Sequence, residues 1–149
     1  MQLQKEIQAS RFESVHQQAV VNVVYTANWC NDQLRQALLP YNVTTQQFNV
    51  LRILRGQHPE PCTISLLKAR ILDKMCDASR IVDRLKQKDF VAKSTSKSDK
   101  RAADIIITEK GLALLKEMDQ NVDLSFPVSN NLTSEETELL NTLLDKMRG

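Results

Sequence analysis

Arg80 and Arg84 stand four residues apart in DASRIVDRLKQK, a stretch with neither Gly nor Pro. At 100° per residue they share one side of a helix with Cys76, Asp83 and Gln87, while Ala78, Ile81, Val82 and Leu85 share the other. A guanidinium offers a planar fork of donors that fits guanine O6 and N7 in the major groove, or grips a phosphate. Lys74 and Ser79 lie nearer the flanks and suit phosphate or backbone contact. The competing account is a solvated helix face on which Asp77 and Asp83 pair with the two arginines, an arrangement worth little in water. Asp77 could accept from a cytosine amine or be repelled by DNA, and is not counted as a contact.

The neighbouring segments position these residues. Asp73 is a candidate N-cap for a helix running to about Lys88. Before it, TISLLKARI reads as a short helix with Thr63 as N-cap and Ile64, Leu67 and Ile71 packing. Thr63 and Ser65 could reach phosphate, although capping alone accounts for Thr63. After Asp89, FVAKS reads as a strand, TSKSDKR as a polar turn and AADIIIT as a second strand with Ala103, Ile105 and Ile107 on one side. Two short helices followed by a hairpin make a winged helix-turn-helix, whose second helix enters the major groove. In the wing, Asp99 lies two residues before Arg101, so its carboxylate can hold a guanidinium suited to a narrow minor groove. Lys97 and Lys100 add positive charge there; alternatively Asp99 only favours the bend and the cations keep the edge soluble.

Charge follows the same division. Lys68 to Arg101 carries 11 Lys and Arg against 5 Asp and Glu, whereas Ala102 to Gly149 carries 4 against 9. The whole-chain value of +2 conceals a basic reading unit and an acidic C-terminal part.

Three blocks, VTTQQFNVLRIL (Val43 to Leu54), ASRIVDRLKQKDFVAK (Ala78 to Lys93) and SDKRAADIIITEKG (Ser98 to Gly111), resemble in order and spacing the MarR family of multiple-antibiotic-resistance-type transcriptional regulators. The most specific feature is D-x-R, an apolar strand and T-x-x-G, here Asp99, Arg101, Thr108 and Gly111. The resemblance implies a symmetric homodimer built from N- and C-terminal helices, with the wing arginine in the minor groove. It also implies a repressor relieved by a small aromatic effector bound between the dimer helices and the winged helix. Tyr25 and Trp29, one helical turn apart, are candidate walls for that ligand, with ordinary packing as the competing account. A two-fold dimer calls for an inverted-repeat operator in double-stranded DNA, with half-sites about one turn apart.

The fold class expected is mainly α with a small β-hairpin: one MarR-like domain over residues 1–149. Residues of about 40–110 form its winged-helix part, and about 1–39 and 111–149 its helical dimerisation part. One long helix is expected from about Lys5 to Leu39, ended by Pro40. Thr44 and Gln47 form a capping box before a helix packed through Phe48, Leu51, Ile53 and Leu54 and closed by Gly56; QHPEPC is then a loop. Thr108 opens a helix through Leu112, Leu115 and Met118 to roughly Leu124, broken at Pro127. Thr133 and Glu136 cap a last helix carrying Leu139, Leu140, Leu143 and Met147 on one side, which needs a partner chain to cover it.

A chain of 149 residues with 42% hydrophobic content suits one sizeable core, and no apolar run is long enough for a membrane span or signal peptide, so a cytoplasmic location is expected. Cys30, Cys62 and Cys76, widely spaced, with only His16 and His58 beside them, suggest neither a disulfide framework nor a metal site. No nucleophile, base and orienter grouping and no phosphate-cradling glycine loop is present, so no enzyme, catalytic residue or cofactor is expected. Two alternatives stand beside the DNA-binding regulator: a winged-helix protein-interaction module, and a thiol-based redox regulator in which Cys76 oxidation blocks the reading face.

Overall fold

Side chains that accept from free N–H groups set most helix starts in the computed structural model, which describes residues 2–8, 11–95 and 103–149. The chain divides into two compact units, residues 37–123 and residues 1–36 with 124–149.

In the first unit a 3-10 turn, Leu39–Tyr41, takes Pro40 in its first positions and leads to α3, Thr45–Gln57. The expected capping box opens α3: Gln47 N donates to Thr44 Oγ1 at 3.1 Å and Thr44 N donates to Gln47 Oε1 at 3.2 Å. The helix runs through Gly56, and ends because His58, preceding Pro59, adopts extended backbone. Its buried apolar face is Phe48, Val50, Leu51 and Leu54; Val50 takes the place expected for Ile53, which is only half-buried.

The loop expected over QHPEPC stops one residue short, because Cys62–Thr63 form a strand, β1. Helix α4, Ile64–Arg70, follows with Thr63 as its N-cap, Leu66 N donating to Thr63 Oγ1 at 3.2 Å. Next come α5, Ala78–Gln87, and strands β2, Val91–Thr95, and β3, Ala103–Ile107. Strand β3 is central, pairing antiparallel with both neighbours in the order β1-β3-β2, with Cys62 opposite Ile105 and Val91 opposite Ile107. Ile105 and Ile107 face the core beside Leu67, Val82, Leu85 and Val91. Full burial of such side chains contributes about 1.5–3 kcal/mol each.

Helix α6, Glu109–Asn121, closes this unit, with Thr108 as N-cap and Leu115 and Met118 buried. It ends three residues before the expected Leu124. A bidentate pair from Arg55 to Asp119, at 2.6 and 3.2 Å, ties α3 to α6. Gly111 is required where it stands: a Cβ there would run into the Phe90 carbonyl oxygen and approach Ile107 Cγ1 to 2.7 Å. The T-x-x-G pattern thus has a local cause, since Thr108 Oγ1 accepts from Gly111 N and donates to Asp89 O at 2.7 Å.

The second unit departs from the single long helix expected. Helix α1 is only Leu3–Glu6; Gln8 has φ of +52°, and α2 starts at Val15 and runs to Leu38. Ser14 Oγ accepts from Gln17 N at 3.1 Å, a cap that S-x-x-Q in the sequence would have announced. Pro127 does not break the chain but sits in the first turn of a short helix α7, Phe126–Ser129, where its missing N–H costs nothing. The expected Thr133 and Glu136 capping box opens α8, Ser134–Arg148. Among the described residues of this unit only Leu3 is buried, and Leu139, Leu140, Leu143 and Met147 are exposed along α8. No described helix is long and apolar enough to cross a membrane.

Candidate nucleic-acid interface

Helix α5 presents the two faces its sequence periodicity calls for. Ala78, Val82 and Leu85 are buried and Ile81 half-buried, while Arg80, Asp83, Arg84 and Gln87 are exposed. Its start lies four residues later than expected. Asp77 is the N-cap, accepting from Arg80 N at 3.1 Å, whereas Asp73 holds the preceding turn by accepting from Met75 N at 3.1 Å. Both aspartates can bond locally, and α5 begins at the one from which its apolar stripe can reach the core.

This shift moves Lys74 off the helix. Its Nζ donates to Ala69 O at 2.8 Å and Lys68 O at 3.3 Å, so it caps the carbonyl end of α4. Ser79, half-buried, is the second residue of α5. Cys76 also lies in the turn, half-buried; burial, with the Asp73 and Asp77 charges, pushes its thiol pKa up, the opposite of what a reactive thiolate needs. Cys62 is fully buried, and burial outweighs the Arg70 charge in raising its pKa.

The pairing of Asp77 and Asp83 with the arginines does not occur. Asp77 is occupied with backbone capping, and Asp83 Oδ1 accepts from Lys93 Nζ of β2 at 3.0 Å. Among the described residues neither Arg80 nor Arg84 has an acid partner, so both guanidinium groups are available to an external acceptor. Lys93 was not singled out by sequence reasoning, because its partner lies across the turn from α5 into the sheet. Asn49 was missed for the same reason: its Oδ1 accepts from Leu72 N at 3.0 Å and anchors the turn to α3.

The exit from α5 is equally defined. Asp89, with φ of +61°, occupies the left-handed position; Phe90 N donates to Leu85 O and Asp89 N to Lys86 O, each at 3.0 Å. Lys110 Nζ donates to Lys88 O at 2.9 Å and lies 5.3 Å from the Phe90 ring centroid, joining α6 to this junction. The strands therefore leave α5 at a fixed angle. Lys97, Asp99, Lys100 and Arg101 of the wing lie outside the described residues.

Thr63 caps α4, and Ser65 is exposed on its first turn. In the other unit Tyr25 and Trp29 are half-buried one turn apart on α2. The Tyr25 hydroxyl donates to Glu6 Oε2 at 3.3 Å, and desolvation followed by the Glu6 charge raises its pKa. No group of three or more His, Cys, Asp or Glu suited to a metal ion occurs among the described residues.

The winged arrangement has counterparts among known proteins. The MarR family model matches residues 43–103. The HTH-type transcriptional regulator MhqR of Bacillus subtilis is 26% identical over 119 residues, 78% of this chain and 80% of its own length. A MarR-like transcription regulator from Bacillus cereus shares the fold at a TM-score of 0.79, with 21% identity over 89% of this chain and 95% of that one. A mutant MarR from E. coli complexed with operator DNA aligns at a TM-score of 0.74 and 27% identity over 99% of both chains. Residues 43–103 thus match the MarR family model, and the chain is similar over most of its length to MarR-type transcription regulators.

Proposed function

We propose that two copies of the chain bind an inverted-repeat operator in double-stranded DNA and repress transcription until a small-molecule effector releases them. The observation that carries this reading is the exposed pair Arg80 and Arg84 on α5, held one turn apart with Asp77 and Asp83 engaged elsewhere. In this reading residues of about 40–110 read DNA: α5 enters the major groove, Ser79 and Lys74 lie toward phosphate, and Lys97, Lys100 and Arg101, with Asp99 orienting the arginine, follow the minor groove. The E. coli relative crystallised on operator DNA supports the docking mode.

The exposed leucines of α8 support a homodimer, because isolated helices with bare apolar stripes are marginal in water. The terminal segments, about 1–39 and 111–149, form the dimerisation part, and a small aromatic effector contacts Tyr25 and Trp29. It acts by binding unequally to two spacings of the reading helices. The regulator works in the cytoplasm.

Fluorescence anisotropy on a random-sequence duplex across a salt series tests the reading. Binding is expected to weaken with salt at about −0.9 log units per phosphate neutralised, and Arg84→Ala or Arg101→Ala to flatten the slope by roughly one unit each if that arginine grips phosphate. Absence of binding at low salt, or affinity indifferent to salt, overturns it in favour of a protein-interaction module.

A further inference from the structure

Leu72 and Met75 are 83% and 94% exposed, the highest values among the exposed large hydrophobic side chains. Both lie in the turn between α4 and α5. Single exposed apolar residues are ordinary on protein surfaces; two in one short, firmly held turn are less so. Leu72 N donates to Asn49 Oδ1 at 3.0 Å, Met75 N to Asp73 Oδ1 at 3.1 Å and Cys76 N to Asp73 O at 3.2 Å. The backbone beneath these side chains is thus set before any ligand arrives, which lowers the entropy lost on binding.

The turn ends at the Asp77 N-cap of α5, so Met75 sits at the N-terminal end of the reading helix, the end that meets base edges in helix-turn-helix proteins. Around it the exposed charges are mostly basic, Lys68, Arg70, Lys74, Arg80 and Arg84, while the exposed acids Asp73, Asp77 and Asp83 are engaged by Met75 N, Arg80 N and Lys93. An apolar tip within a basic surface fits a polyanion that carries an apolar group, and the one such group the major groove displays is the thymine 5-methyl. We infer that Met75, with Leu72 three residues before it, is a specificity-determining contact that packs on a thymine methyl in each half-site. This rests on the DNA-binding reading above.

The test is a double-mutant cycle between protein and DNA. Operators are selected from a random duplex pool with the full-length protein, and each thymine is then replaced singly by uracil, which deletes only the methyl group. Wild-type protein is expected to lose about fourfold in affinity at one thymine position per half-site, the value of one buried methyl. Met75→Ala is expected to bind the thymine and uracil duplexes equally. Its thermal melt, unchanged because the side chain is exposed, separates a lost contact from a lost fold. Selected sites without a fixed thymine, or a uracil penalty that persists in Met75→Ala, overturn the inference while leaving DNA binding intact. Failure of wild-type protein to bind any duplex overturns the DNA-binding reading itself.

Discussion

Residues 37–123 bury many of their apolar side chains against one another, whereas among the described residues of the terminal unit only Leu3 is buried. In the first unit Val50, Leu51, Leu54, Leu67, Leu85 and Ile105 are all nearly or fully inaccessible, and helix entries carry side-chain caps at Thr44, Thr63, Asp77 and Thr108. The two longer helices of the second are capped as well, at Ser14 and Thr133, yet α8 buries nothing. Capping satisfies backbone groups and specifies where a helix starts; it does not supply the apolar burial that holds a helix in place. On the proposed dimer, the contrast separates a part whose stability is intramolecular from a part whose stability is shared with a second copy.

The largest expected effect probes the self-sufficient part. Leu85, fully buried on the inner face of α5, is replaced by alanine in Leu85→Ala, with an expected loss of about 2–5 kcal/mol in unfolding free energy. Denaturant titration should give that loss at every protein concentration. A loss that varies with concentration would place part of this core at an interface and break the contrast. Leu139→Asp is expected to behave oppositely. More than half the surface of Leu139 is exposed, so on the proposed dimer two copies together forfeit roughly 2 kcal/mol, or about thirtyfold in dissociation constant. Sedimentation equilibrium measures that shift, and an unchanged mass at all concentrations would detach α8 from the dimer.

The same division explains what can be read from residues alone. Local signals sufficed where a side chain answers to residues three or four positions away: both capping boxes, the Thr63 cap, the two-faced pattern of α5, and strands β2 and β3 with Ile105 and Ile107 inward. What escaped depended on partners remote in sequence. Strand β1 is two residues with no alternation of its own and exists because Cys62 and Thr63 pair with Ile105 and Asp104. The engagement of Asp83 by Lys93, which leaves the arginines free, needs the sheet folded beside α5. Val50 rather than Ile53 facing the core shows the same limit, since both fit a helical stripe and only tertiary packing selects one.

The smallest effect tests how the reading helix begins, where two aspartates compete. Asp77→Ala removes the side-chain acceptor for Arg80 N and is expected to cost about 1 kcal/mol. Asp73→Ala removes only the acceptor for Met75 N in an exposed turn and is expected to cost less than Asp77→Ala. The two substitutions should separate further in DNA binding. Loss of the Asp77 cap frays the turn of α5 that carries Arg80, whereas loss of the Asp73 bond loosens the segment bearing Met75. Asp77→Ala should therefore weaken binding to thymine and uracil duplexes alike, and Asp73→Ala should narrow the difference between them. Equal costs for both variants, read by thermal melting and anisotropy together, would mean that the helix start slides between the two residues. The fixed presentation of Arg80 and Arg84 would then come from the packing of Val82 and Leu85 rather than from the cap.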